Sequence, residues 1–296
     1  MLAGILAGLT AGALWGLVFV APRMTAGYSS VDLTAGRFVA YGLVACAVIL
    51  LGGRPRRWPG RQALLAAAGM SVLGFTGYYL LLVLAIRDTG TEVPSLIIGT
   101  IPLWVMLLGK PKGLRWRALA PGLLLTACGL GLMMAAPEAG GMERGLHYWR
   151  GVLLATGSLA CWTAFALLNA RWLKRHADVA VTDWANWLGV GAALGALALW
   201  AVAGSPASEL VAREGRGTFV LICAATGFGS AWVATILWNV ASRRLPASLC
   251  GQLIVSETLF ALAFSFAWDA RWPTPAQAAA CVLFTLGILA SIKAHR

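Results

Sequence analysis

The chain has 296 residues, of which 59% are hydrophobic and 11% charged, with six cysteines and a formal net charge of +12. A water-soluble domain of this size needs a surface that is roughly a quarter to a third charged, so the composition excludes one. The basic residues flank apolar runs and form no solvated patch, which argues against a nucleic-acid partner and for contact with anionic lipid heads.

Taken in order, the sequence reads as an all-α integral membrane protein with ten spans: 2–21, 33–52, 62–86, 91–109, 117–136, 150–171, 183–203, 217–241, 246–268 and 275–292. Runs of roughly 20 residues cross ~30 Å of hydrocarbon at ~1.5 Å per helical residue. They are continuous rather than alternating, which excludes a β-barrel. The first run begins at Leu2 without a basic leader and is followed by further spans, so it reads as a membrane helix and not a cleaved signal. It carries Trp15 and places Gly4, Gly8, Gly12 and Gly16 at a spacing of four, the pattern of close helix contact. That contact is expected inside the bundle, with a dimer interface as the other reading.

In the second span Arg37 stands about one turn in, shallow enough to snorkel to the outer surface. The third holds Tyr78 and Tyr79. The fourth opens with polar residues, including Ser95, and contains Pro94, Pro102 and Trp104, so a bend is expected there. Trp162 lies in the sixth. On the eighth, Phe228, Trp232, Thr235 and Asn239 fall at spacings of four, three and four, on one helical face, with Trp238 beside them. The ninth places Gln252, Ser256 and Glu257 within an apolar run.

Loop charges set the orientation. Lys and Arg number fifteen in the loops on the side of both termini and seven on the other, and eight of the eleven acids lie with the seven. The positive-inside rule then puts both termini in the cytoplasm, as an even number of spans requires. All six cysteines fall inside spans and read as packing residues, neither disulfides nor metal ligands.

The two halves of the chain are alike. "LGFTGYYLLLVLA" at 73–85 aligns with "TGFGSAWVATILW" at 226–238, pairing Gly74 with Gly227, Phe75 with Phe228 and Tyr79 with Trp232. "GALWGLVFVA" aligns with "SLACWTAFAL", pairing Trp15 with Trp162. Five spans is an odd number, so the second copy enters the membrane from the opposite side. The chain is therefore expected to be a single membrane domain, with 1–138 one five-helix repeat and 148–296 its inverted partner. Inverted repeats suit carriers that alternate access around a midplane site.

The duplication, together with "GALWG", "AGRFVAYGLV", "IIGTIPLWVMLL", "ALAPGLLLTACGLGLM" and "LIVSETLFALAF", resembles the ten-helix EamA-type exporters of the drug/metabolite transporter superfamily. Aromatic richness and length look most like the YddG-type exporters of aromatic amino acids. What the resemblance implies is a multi-pass inner-membrane carrier that exports aromatic and other neutral amino acids or similar small amphipathic metabolites. Many relatives have a proline after the glutamate of the ninth span, where this chain has Thr258. The resemblance favours a structural role for Arg37 in joining helices, with direct substrate contact as the other reading.

Residues singled out for substrate contact are Trp15, Tyr78, Tyr79, Ser95, Trp104, Trp162, Trp232, Thr235, Trp238, Asn239, Gln252 and Glu257. An inverted twofold is expected to bring Trp15, Trp162, Tyr79 and Trp232 around one volume. Glu257 must be protonated, paired or facing water, because a charge mid-membrane costs at least ~2.5 kcal/mol. Its readings are a ligand for a substrate ammonium, a proton-coupling site, or a neutral acid bonded to a neighbouring helix. No HExxH, paired intramembrane aspartate or P-loop occurs, and the three histidines lie outside the spans, so neither an enzyme nor an ATP-driven pump is supported. No cofactor or metal is called for. The expected partners are a small-molecule substrate and membrane lipid, with the protein a monomer. Alternatives are a carrier of a cationic drug, nucleotide or sugar derivative, or a channel.

Overall fold

The computed structural model describes residues 1–25, 27–52, 59–89, 94, 97–134, 146–268, 270 and 272–295. Among the described residues the chain is helical with no strand. The helices are α1 Leu2–Gly16, α2 Ala21–Met24, α3 Ser30–Leu51, α4 Arg61–Ser71, α5 Gly77–Thr89, α6 Ile101–Leu108, α7 Trp116–Met134, α8 Leu146–Arg175, α9 Val181–Ala203, α10 Ala207–Ala212, α11 Arg216–Ala225, α12 Ala234–Arg244, α13 Ala247–Trp268 and α14 Pro275–Ala294. Counting α4–α5 and α11–α12 as continuous, seven of these are long and apolar enough to cross a membrane, while Leu2–Gly16 and Trp116–Leu132 are shorter apolar helices. Of the stretch 91–109, α6 fills the second half; Ser95 lies outside the described residues.

Local chemistry sets the ends. The Ser29 side chain accepts from the Asp32 backbone N–H at 3.0 Å, so α3 starts at Ser30, a turn earlier than hydropathy suggests. Thr274 and Gln277 form a reciprocal capping box at the start of α14.

Two helices widen into π segments, Val72–Thr76 between α4 and α5 and Thr226–Val233 between α11 and α12. Both fall at the start of the aligned stretches 73–85 and 226–238. Glycine permits the close approaches made there. A Cβ on Gly74 would meet the Phe165 ring at 2.6 Å, and one on Gly227 would meet the Arg37 carbonyl at 2.7 Å. Insertions of this kind recur at functional positions.

The glycine stripe of α1 packs inside the bundle. Added Cβ atoms on Gly4, Gly8, Gly12 and Gly16 would strike Leu245, Leu253, Ser256 and Ala261 respectively, which brings α1 directly against α13 and the end of α12. One core cluster gathers at α12 and α13 around Trp238, Leu249, Leu253 and Phe284. A second gathers around Tyr41, Phe75, Phe165, Trp184 and Leu188. The site described next is built on the first of these clusters.

Candidate functional site

Three tryptophans from three helices meet. Trp15 of α1 stands 6.4 Å from Trp162 of α8, edge to face, and 5.4 Å from Trp238 of α12, while Trp162 and Trp238 are 6.2 Å apart. Such ring pairs contribute ~0.5–1.5 kcal/mol each beyond area burial. Trp238 is only 2% exposed, and its indole N–H has no hydrogen-bond partner among the described residues. Trp15 and Trp162 are half-buried, as is Tyr78, which packs on the same cluster. From Trp162 the aromatic contact continues through Phe165 to Phe75 at 6.2 and 5.6 Å.

Repeat symmetry led to a different quartet, and the structure corrects it. Tyr79 donates its hydroxyl to the Ser30 carbonyl at 2.9 Å, and Trp232 donates its indole N–H to Asn186 Oδ1 at 2.7 Å while stacking on Phe228. Each ring is turned toward its own neighbouring helix, so Trp238 takes the third place beside Trp15 and Trp162. Trp104 is 46% exposed, on the outer face of α6.

The polar face of the eighth predicted span is engaged within the bundle. Asn239 Oδ1 accepts from Asn169 Nδ2 at 3.0 Å, and Asn169 Oδ1 accepts from Trp184 Nε1 at 2.7 Å. Thr235 is buried, 3% exposed. On α13, Gln252 donates to Thr126 Oγ1 at 2.9 Å and accepts from Ser291 at 3.0 Å, joining α7 and α14 to α13. Ser256 returns its hydroxyl to the Leu253 carbonyl.

Arg37 requires a second correction. Because α3 begins at Ser30, Arg37 lies seven residues into the helix, roughly 10 Å deep at ~1.5 Å per residue. It is half-buried and bonds the Ser230 carbonyl of the adjacent π segment at 3.4 Å, instead of snorkelling outward. Its charged neighbour is Glu257, and Tyr78 lies within the field of both. The two charges are not in contact; their closest N···O approach exceeds 4.0 Å. Glu257 itself is half-buried near the middle of α13.

An apolar cleft of about 470 Å³ opens between α1, α11 and α13, lined by Leu17, Met24, Ile222, Phe264 and Trp268. Its lining includes Leu14, next to Trp15, and Ser230, whose carbonyl holds Arg37. The hydroxyl of Ser230 donates to the Leu14 carbonyl at 2.6 Å.

Phe75, Phe165, Tyr41 and Asn186 were not singled out from the sequence. Asn186, a carboxamide inside an apolar run, was the one with a visible signal. The phenylalanines have none, because one more Phe in a membrane helix looks like lipid-facing bulk.

Comparison with known proteins agrees with this architecture. The EamA-like transporter family matches residues 2–134. Inner membrane protein YtfF of Escherichia coli (strain K12) is 32% identical over 308 residues, covering 99% of this chain and 96% of that protein. A solved crystal structure at 23% identity superposes with a TM-score of 0.76 over 98% of each chain, which shows a common fold. With a 32% identical relative over nearly its whole length and the family's pattern in residues 2–134, the chain is a multi-pass inner-membrane protein that belongs to the EamA-like transporter family.

Proposed function

We propose that this protein is a secondary transporter that exports aromatic and other neutral amino acids, or similar small amphipathic metabolites, by alternating access through a central site between two inverted five-helix repeats. In this reading it has ten spans and both termini lie in the cytoplasm. The observation that carries it is the meeting of Trp15, Trp162 and Trp238, drawn from both halves of the chain, with Tyr78 packed on the same cluster and within the field of Arg37 and Glu257. Rings supply apolar and stacking contact to an aromatic side chain. Charges in the membrane interior mark a polar substrate path.

The pattern of helix packing supports the repeat. Exchanging each span for the one five places away turns the α5–α8 contact into the α12–α1 contact and leaves α3–α9, α7–α14 and α6–α13 unchanged; all of these contacts occur. Hydroxyls tie the exchanged pairs, Ser158 to the Tyr78 carbonyl and Ser230 to the Leu14 carbonyl. The matched π segments obey the same exchange.

Counterflow in proteoliposomes, with a panel of labelled amino acids, tests the proposal. Saturable exchange of phenylalanine and tryptophan is expected. Flux without saturation or exchange would mark a channel, and the absence of amino-acid flux would remove the substrate class.

A further inference from the structure

Arg37 and the ionisable Glu257 lie close enough to act on each other, yet they are not joined. Contrast the pair Arg150–Asp88 at the ends of α8 and α5. There the guanidinium, 59% exposed, closes on an Asp88 carboxylate that is 7% exposed, with two bonds of 2.7 and 2.6 Å. Where solvent screens, attraction is worth little. In the membrane interior it is worth far more, and an unsatisfied charge costs far more. A purely structural pair in that setting should close to contact, as the exposed pair does.

The interior pair stays open, and both members keep bonding capacity to spare. Arg37 makes one long bond, 3.4 Å to the Ser230 carbonyl, and its Nε is buried with no partner among the described residues. Among the described residues no group hydrogen-bonds the Glu257 carboxylate. The backbones that hold them are pinned. A Cβ on Gly12 would meet Ser256 Oγ at 2.2 Å and the Glu257 backbone N at 3.1 Å, so α1 fixes that turn of α13. A Cβ on Gly227 would meet the backbone of α3 at the Arg37 carbonyl, so the second π segment fixes α3.

We infer that Arg37 and Glu257 are the two ends of a zwitterion-binding site, Arg37 taking the α-carboxylate and Glu257 the α-ammonium of one amino acid whose side chain lies toward Trp15, Trp162 and Trp238. This rests on the amino-acid reading above and narrows it, because it gives Arg37 a substrate role that its place in the fold alone does not. A zwitterion separates its charges by a single carbon. Inserted between donor and acceptor, it makes two charge-assisted bonds where Arg37 and Glu257 make none with each other. Its net charge of zero also leaves the interior field balanced. A lone amine or a lone carboxylate would satisfy one end and leave the other charge unpaired, which is how a buried polar site rejects analogues that lack a group.

The test uses the full chain, purified and reconstituted, with labelled phenylalanine counterflow as the readout. Unlabelled phenylalanine, phenethylamine and 3-phenylpropionate are the competitors. In the unaltered protein the two one-ended analogues should compete ~10- to 100-fold more weakly than phenylalanine, the range of a charge-assisted bond. Arg37→Gln should raise the KM for phenylalanine by a similar factor while leaving competition by phenethylamine unchanged. Glu257→Gln should do the same for phenylalanine but spare 3-phenylpropionate. Equal weakening of all three ligands by either variant, or analogues that match phenylalanine in the unaltered protein, would overturn the zwitterion site while leaving amino-acid transport standing. No amino-acid flux in the unaltered protein would overturn both. If either variant does not fold, the competition series on the unaltered protein decides alone.

Discussion

Asp32, in the first turn of α3, and Ser205, just past the end of α9, are joined by two hydrogen bonds. Asp32 Oδ1 accepts from the Ser205 backbone N–H at 2.8 Å, and Oδ2 accepts from the Ser205 hydroxyl at 2.7 Å. Oδ2 also accepts from Ser29 at 2.6 Å, so a carboxylate that is 2% exposed is held by three donors. Asp32 also stands in the first turn of α3, where the helix dipole favours negative charge. One side chain thus fixes the start of one long helix to the end of another.

Replacing Asp32 by Ala should destabilise the protein by on the order of 2 kcal/mol or more, since it leaves buried donors unpaired. Ser205→Ala should cost less, because the backbone N–H still reaches the carboxylate. Thermal unfolding of the purified variants in detergent measures both. A smaller loss for Asp32→Ala than for Ser205→Ala would contradict this account of the junction.

Gly12 should tolerate no enlargement. An added Cβ meets Ser256 Oγ at 2.2 Å and the backbone of α13 behind it. Gly12→Val should therefore cost ~1–3 kcal/mol or prevent folding, whereas Gly69→Ala, with open space around it, should be neutral. Because the stripe is used inside the bundle, Gly12→Val should lower the yield of folded protein without shifting the mass of what remains. A change from dimer to monomer in mass photometry would assign the stripe to an interface between copies.

Topology can be checked by cysteine labelling from outside intact cells, with the unaltered protein as background. Ala207→Cys should react with an impermeant thiol reagent and Gly113→Cys should not, because the loop around Gly113 carries Lys110, Lys112, Arg115 and Arg117. Labelling at Gly113 from outside would reverse the orientation.

Helix positions were legible in the sequence because burial in lipid leaves a one-dimensional record: continuous apolar length, with punctuation by glycine, proline and charge. Side-chain direction leaves a weaker record. Aligning the halves pairs Tyr79 with Trp232, but each ring turns to a local acceptor, Ser30 or Asn186, that the alignment does not contain. Arg37 was misplaced for a related reason. Its depth depended on where α3 begins, and that is decided by the Ser29 cap and not by hydropathy. The π segments were invisible altogether, since Gly74 and Gly227 are two among 35 glycines.

The tryptophans give the last prediction. Trp15 and Trp162 are half-buried and face each other and Trp238, while Trp232 is held by Asn186. If the first two line the site, Trp15→Ala or Trp162→Ala should raise the KM for tryptophan and phenylalanine several-fold more than for alanine, because apolar contact scales with ring area at ~25 cal/mol per Å². Trp232→Phe should behave differently. It removes the bond to Asn186 Oδ1, whose loss costs ~1–3 kcal/mol of stability, so the melting temperature should fall with the ranking of substrates unchanged. Measuring KM for all three amino acids and the melting temperature on the same preparations separates the two roles. Losses at Trp15 and Trp162 that are equal for alanine and tryptophan would reduce the cluster to packing, and the substrate's side chain would then have to be sought along the cleft that ends at Leu14 and Ser230.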